Sequence, residues 1–213
     1  ATLAGNNSLT NLTFNNNGGA APTLNPTGVL TLTGAGGIAV TTTNPGTIAT
    51  VAGGTVDLNG NSSYPVSVGA AIINGVDVAP WQSGLTITSL IQNGGINKTG
   101  NGLLQLNNTL STFSGGVNVA AGGLIIGGSS VGPNLGDTLV SGPLGTGAVT
   151  MAAGTTLVST AANSVTNNFT FLGDTALNGT NSLTLNGNTT LPSTWNVAVT
   201  APNAVFTLSL IHI

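Results

Sequence analysis

The chain has no cysteine, no arginine, no glutamate and a single lysine in 213 residues. Without cysteine there is no disulfide framework, although a domain with an extensive core can do without one in any compartment. One basic residue excludes nucleic acid as a partner, because phosphates are recognised through a lysine and arginine footprint that this chain cannot supply. Charged residues make up 2 % of the sequence and the formal net charge is −3. Membrane segments also lack charge, but no uninterrupted apolar run approaches the ~20 residues of a spanning helix. Disordered chains are charged and poor in Val, Ile and Leu; this one is 40 % hydrophobic. What remains is an ordered chain with a neutral polar exterior.

Helix is nearly excluded. The 33 glycines and 9 prolines interrupt almost every window. The longest stretch free of both, Thr155 to Leu172, is TTLVSTAANSVTNNFTFL, rich in poor helix formers and in residues that favour strands. Short alternations such as Leu30-Thr31-Leu32-Thr33, Thr55-Val56-Asp57-Leu58 and Ser182-Leu183-Thr184-Leu185 have the period of two that places one face inside and the other outside.

The sequence repeats. GGINKTGNGLL from Gly94 recurs as GGVNVAAGGLI from Gly115, 21 residues on. Gly94, Gly95, Asn97, Gly102 and Leu103 match Gly115, Gly116, Asn118, Gly123 and Leu124. A partial copy follows at an offset of 32, where Val117-Asn118-Val119-Ala120-Ala121-Gly122 matches Val149-Thr150-Met151-Ala152-Ala153-Gly154. A β-rich unit of roughly 20 residues, sometimes carrying an insertion, predicts a β-solenoid whose repeats stack as coils. Stacking explains the missing charge. Like charges on successive rungs ~4.8 Å apart repel by about 3.5 kcal/mol at an effective dielectric of about 20, before screening. Asn and Thr instead form hydrogen-bonded ladders, and Gly supplies the tight corners.

Residues from about Gly94 to Gly127 resemble the autotransporter-associated β-strand repeat of bacterial surface proteins. The resemblance is carried by Lys98-Thr99-Gly100-Asn101-Gly102-Leu103-Leu104-Gln105-Leu106, then Phe113-Ser114-Gly115-Gly116, then Val117 to Leu124. Gly142-Pro143-Leu144-Gly145-Thr146-Gly147-Ala148-Val149 looks like the family's continuation, and Phe113 stands where tyrosine is commoner. This motif-level similarity covers about a third of the chain. It implies an all-β fold, a right-handed parallel β-helix with irregular coils of roughly 20 residues. It also implies a non-catalytic passenger or adhesin-like segment at a bacterial surface, attached to the outer membrane through a region outside this chain. About ten coils are expected over residues 1–207, with the clear repeat at 94–127 and a partial copy at 142–158.

Lys98, as a motif residue, is expected at a turn between coils. Its plain reading is a solvated corner side chain, and its sharper one a contact with an anionic surface or a stack of carbonyls. For enzyme chemistry the supply is small. Glycoside hydrolysis needs two placed carboxylates, and the chain offers Asp57, Asp77, Asp137 and Asp174. Asp57 and Asp77 lie 20 residues apart, so a coil of that length could set them on neighbouring rungs as a Ca²⁺ site or an acid/base pair; the plainer reading is two turn aspartates. Gly53-Gly54-Thr55-Val56-Asp57-Leu58 faintly matches a calcium nonapeptide, but it occurs once and lacks the internal glycine. Trp81, Trp195, Tyr64 and the phenylalanines could stack on sugars, though core plugs and loop anchors explain them more simply. Ile73 to Trp81 breaks the strand rhythm and reads as a protruding loop, the first place to look for a binding site. No catalytic, cofactor-binding or metal residue is assigned, and no cofactor. The expected partners are glycans or other surfaces, or further copies of the chain joined through the end rungs as a scaffold. No nucleic acid and no direct membrane insertion are expected.

The last six residues, LSLIHI, include His212, the only histidine. The codons CTG TCT CTT ATA CAC ATC encode them, and read together these match a transposon end used in sequencing adapters. Residues 208–213 are therefore expected to be read-through, the plainer alternative being a genuine terminal strand since LSLI is apolar enough, and the chain is expected to be an internal fragment lacking its export signal and anchor.

Overall fold

The alternating strands build the expected parallel β-helix, seen in a computed structural model that describes residues 1–132, 134–200 and 204–210. Regular structure among the described residues is entirely β, and no helix there is long and apolar enough to cross a membrane. One sheet has nine parallel strands in chain order: Thr2–Leu3, Thr23–Pro26, Ala49–Val51, Ser83–Ile87, Leu103–Leu106, Gly123–Ile126, Thr155–Ser159, Thr175–Asn178 and Val197–Val199. Each strand opens one coil, so there are nine rungs, and at ~4.8 Å each the stack is about 40 Å tall. Among the described residues there is no tenth coil, because two coils spend residues on excursions, one between Val68 and Ser83 and one between Ile126 and Gly142.

A second, 12-stranded sheet carries two ladders. Long bent strands, Asn7–Asn16, Val29–Thr42 and Leu183–Thr190, belong to both and shift register where they bend. One ladder runs through Thr55–Asp57 and Leu90–Gln92. The other runs through Tyr64–Val68, Ile96–Thr99, Val117–Val119, Val149–Met151 and Phe169–Phe171. The first ladder is irregular in mid-stack, where Thr112 N bonds Ile91 O at 3.0 Å and Gly142 N bonds Ser111 O at 3.0 Å. All pairings between coils in these sheets are parallel; the antiparallel contacts are the hairpin Ile72–Ile73 with Val76–Asp77 and a bridge from Val131 to Ser141.

Alternation within each strand separates inside from outside. Leu85, Leu104, Leu124, Leu157 and Leu177 stack in register and are buried. Tyr64, Ile96, Val117, Val149 and Phe169 form a second inward column. Phe113 of the repeat is fully buried. Phe171 stacks on Phe169 at 5.9 Å and meets Trp195 at 5.1 Å, so that tryptophan packs against the core. Outward, Asn97, Asn118, Thr150, Thr170 and Thr190 align along the same ladder, and Asn118 Nδ2 donates to Asn97 Oδ1 at 2.8 Å.

The register pairs Ile96 with Val117 and Val117 with Val149, the same residues the repeat aligns. It then departs by one residue: Leu104, not Leu103, pairs with Leu124. The corner after Lys98 is one residue longer than the corner after Val119, and the slip keeps Leu104 and Leu124 on the same inner face. Leu103 joins Ile125 and Val158 in a small cluster separate from the main core. The His212 assignment lies outside the described residues; Phe206–Leu210 pairs with Leu183–Thr190 as the last rung.

Candidate functional site

Lys98 is not a solvated corner. Ile96 and Lys98 share the inward face of Ile96–Thr99, and Lys98 stacks between Val66 and Val119, with Met151 and Phe171 beyond. Its side chain has no exposed surface. The Nζ donates to Thr99 O at 2.9 Å, Gly100 O at 2.7 Å and Ala121 O at 3.0 Å. Three N–H donors thus meet three carbonyls where two successive coils turn, the carbonyl contact that was the sharper of the two sequence readings. Burial pushes the ammonium's pKa down to about 7. The side chain therefore clamps the corner of one coil to the corner of the next.

Glycine makes room for this clamp. Gly100 has φ +75°, and a Cβ there would lie 2.4 Å from Val68 O; Gly122 has φ +69°, with Gly102 O 2.3 Å from its virtual Cβ. Both turns need a left-handed residue and a bare backbone face.

The four aspartates are not brought together. Asp57 pairs in register with Thr31 and Gln92, whereas Asp77 leaves the stack on the hairpin. The proposed rung-to-rung pair does not form because the excursion after Val68 carries Asp77 out of the coil. Each aspartate serves a local bond instead. Asp57 accepts from Asn59 N at 2.8 Å and Asp77 from Ala79 N at 3.0 Å. Asp137 accepts from Asn134 N at 2.9 Å and Asp174 from Asn196 N at 2.8 Å. Among the described residues no three His, Cys, Asp or Glu are grouped so as to hold a metal ion.

Asp57 borders an open polar groove of about 510 Å³ along one corner, with Asn59, Ser62, Asn93 and Ser114. Partial burial raises its pKa, but bonds from Gln92, the Asn59 backbone and Asn93 outweigh burial and hold it below the usual carboxylate value. Its oxygens are already engaged: Gln92 Nε2 donates at 2.9 Å and Asn93 Nδ2 at 2.7 Å.

The protruding loop is a hairpin followed by a turn. Asn74 and Gly75 have φ +51° and +79°, the two left-handed residues of a type I′ turn. Gln82 N bonds Ala79 O at 3.1 Å, with Pro80 in the second position, where its fixed φ suits a β-turn. The excursion exposes Ile72, Ile73, Val76, Val78 and Trp81, the last at 57 %. Asp77, Ala79 and Gln82 border a narrow cleft whose opposite wall is Thr42, Asn44, Pro45 and Thr47 from the preceding coil. That wall is fixed by Asn16, which donates to Thr42 Oγ1 at 3.1 Å and to Thr47 O at 2.8 Å. Gln82 is the member of this site that reading the sequence missed. The Asn-Gly pair between β-branched residues was the available hairpin signal.

With this geometry in hand, the comparisons add no relative: the chain matches no family model, no curated protein and no solved structure.

Proposed function

We propose that the chain is a non-catalytic, adhesin-like passenger segment of a bacterial surface protein of the autotransporter type, a stacked spacer that displays short excursions. The observation carrying this reading is where the repeat's residues fall. Lys98, Gly100 and Gly122 meet at one corner, where Lys98 binds Gly100 and Ala121 carbonyls. Gly94 and Gly115 stack at another, with Gly115 N bonded to Gly94 O at 2.7 Å. These residues build the stack itself, which is the role a spacer repeat requires. Nearest-neighbour stacking also lets such a chain fold coil by coil, which suits export to a cell surface. The aspartates support the non-catalytic part, since hydrolysis by paired carboxylates needs two of them flanking one bond and Asp57 and Asp77 sit on separate elements.

Two measurements test the reading. The purified chain incubated with neutral and acidic polysaccharides is expected to release no reducing ends above a heat-denatured blank. Displayed on a bacterium through a barrel anchor, it is expected to increase adherence to polysaccharide-coated or cell-coated surfaces. Turnover in the first assay, or unchanged adherence in the second, overturns the corresponding half of the proposal.

A further inference from the structure

We propose that the excursion from Ile72 to Gln82 binds an uncharged saccharide, with a sugar ring against the Trp81 indole and its hydroxyls on Gln82 and Asp77. The proposal rests on the adhesin-like reading and gives it a site and a ligand class.

Trp81 is the one strongly exposed aromatic among the described residues. Tyr64, Phe14, Phe113, Phe169 and Phe171 are buried, and Trp195 packs on Phe171. The Ala79–Gln82 turn with Pro80 holds the indole on a short, fixed loop, so little conformational entropy is lost when a ligand covers it. Polar groups beside it are unspent. Among the described residues the Gln82 side chain has no hydrogen-bond partner, and it borders the cleft. Asp77 Oδ1 accepts from Ala79 N, and its Oδ2 has no partner among the described residues. An amide that both donates and accepts, next to a carboxylate that accepts, matches the paired donor and acceptor character of adjacent hydroxyls. The C–H face of a pyranose supplies the apolar surface that an exposed indole takes up.

Charge selects the ligand class. Lys98 is the only lysine or arginine and it is buried, so an acidic sugar or a phosphate would meet Asp77 with no cation to offset it. A bilayer is disfavoured because Asn74 leads the hairpin and Asp77 would have to leave water with it. Strands of two residues are too short an edge to pair stably with a second copy. The cleft itself, at about 10 Å³, admits one water molecule and no sugar. The ring therefore stays outside the cleft, on the exposed Trp81, and reaches Asp77 and Gln82 at the cleft's lining.

The test is native electrophoresis of the whole chain through gels cast with a neutral β-glucan, a neutral α-mannan or polygalacturonate, with flotation on phosphatidylcholine vesicles alongside. At least one neutral polymer is expected to retard the protein. Trp81→Ala is expected to weaken that retardation about tenfold, Gln82→Ala to weaken it less, and Trp81→Phe to keep most of it. Ser62→Ala with Ser114→Ala, in the other groove, is expected to change nothing. Unchanged melting of Trp81→Ala, whose side chain is exposed, separates lost binding from lost folding. Several results overturn the proposal: no neutral polymer retards the chain, polygalacturonate retards it most, vesicles float it through Trp81, or Trp81→Ala is retarded like the wild type. In that last case the site falls while the surface-binding reading survives. Release of reducing ends would instead overturn the non-catalytic reading and leave the Trp81 result to stand by itself.

Discussion

Replacing Lys98 by Met tests the clamp through its pH dependence. Met keeps the length and most of the packing between Val66 and Val119 but removes the amine. In the folded chain the Lys98 pKa is about 7, against 10.5 for a free lysine. Between these values the unfolded chain holds a proton that the folded chain does not. Stability must therefore rise with pH across the window, at up to about 1.4 kcal/mol per pH unit. From pH 6 to pH 9 the wild type should gain about 2–3 kcal/mol, a gain that Lys98→Met cannot show. For a chain of this size that is about 5–10 °C in Tm. Few groups share the window, since the chain has one lysine, one histidine and four acidic residues. At pH 9 the neutral amine still donates two N–H bonds that the variant lacks, at about 1 kcal/mol or more each, so there too the variant should be the less stable protein. Thermal melts by circular dichroism at pH 6 and pH 9, at matched ionic strength, decide the matter. Parallel profiles for the two proteins, or a wild-type Tm that falls as pH rises, would refute the argument. The second result would mean that the three carbonyls hold the ammonium more strongly than burial opposes it.

The other predictions concern corners and ladders. Gly100→Ala places a Cβ 2.4 Å from Val68 O at φ +75° and should cost about 2–4 kcal/mol in urea unfolding. Gly154→Ala, at φ +76° with nothing within 4 Å, should cost only about 1 kcal/mol; equal losses would show that the close approach contributes nothing. Asn97→Asp with Asn118→Asp puts carboxylates on adjacent rungs where an amide bond now runs. The pair should destabilise by up to about 3.5 kcal/mol beyond the two single changes, and added salt should recover much of it; additive, salt-independent losses would contradict the stacking account. Asp57 has a lowered folded pKa, so its stabilisation is complete above the free carboxylate value and fades as pH falls through the folded one. Asp57→Asn should therefore flatten the acid limb of the melting profile, and an unchanged limb would rule this out.

Much of the fold is written locally. Alternation in Thr55-Val56-Asp57-Leu58 places Val56 and Leu58 inside because burial obeys a period of two, and the repeat from Gly94 aligns because stacked coils meet their own copies. What resisted reading depends on relations between coils. The slip that pairs Leu104 with Leu124 comes from the length of a corner, which residue identity does not report. Asp57 and Asp77 looked adjacent on a ladder of 20 residues, but the excursion after Val68 takes up that length. Lys98 was legible in part: the sharper reading named a stack of carbonyls as its contact, but the motif put it at a turn, whereas it alternates with Ile96 on the inner face of a strand. Three carbonyls supplied by two coils make the burial possible, and no local pattern names them. Trp81 read as a loop residue, but its exposure and the free Gln82 amide beside it follow from the turn the loop makes.

The burial of Lys98 also bears on how the stack meets a protease. Proteases of the trypsin type require a lysine or arginine side chain that can leave its surroundings and enter a deep acidic pocket. This chain offers them one peptide bond, Lys98–Thr99. That bond lies within the strand Ile96–Thr99, and its side chain is sealed inside the stack. While the coils hold, such a protease has nothing to cut, and a single cut into two fragments marks the moment when they open.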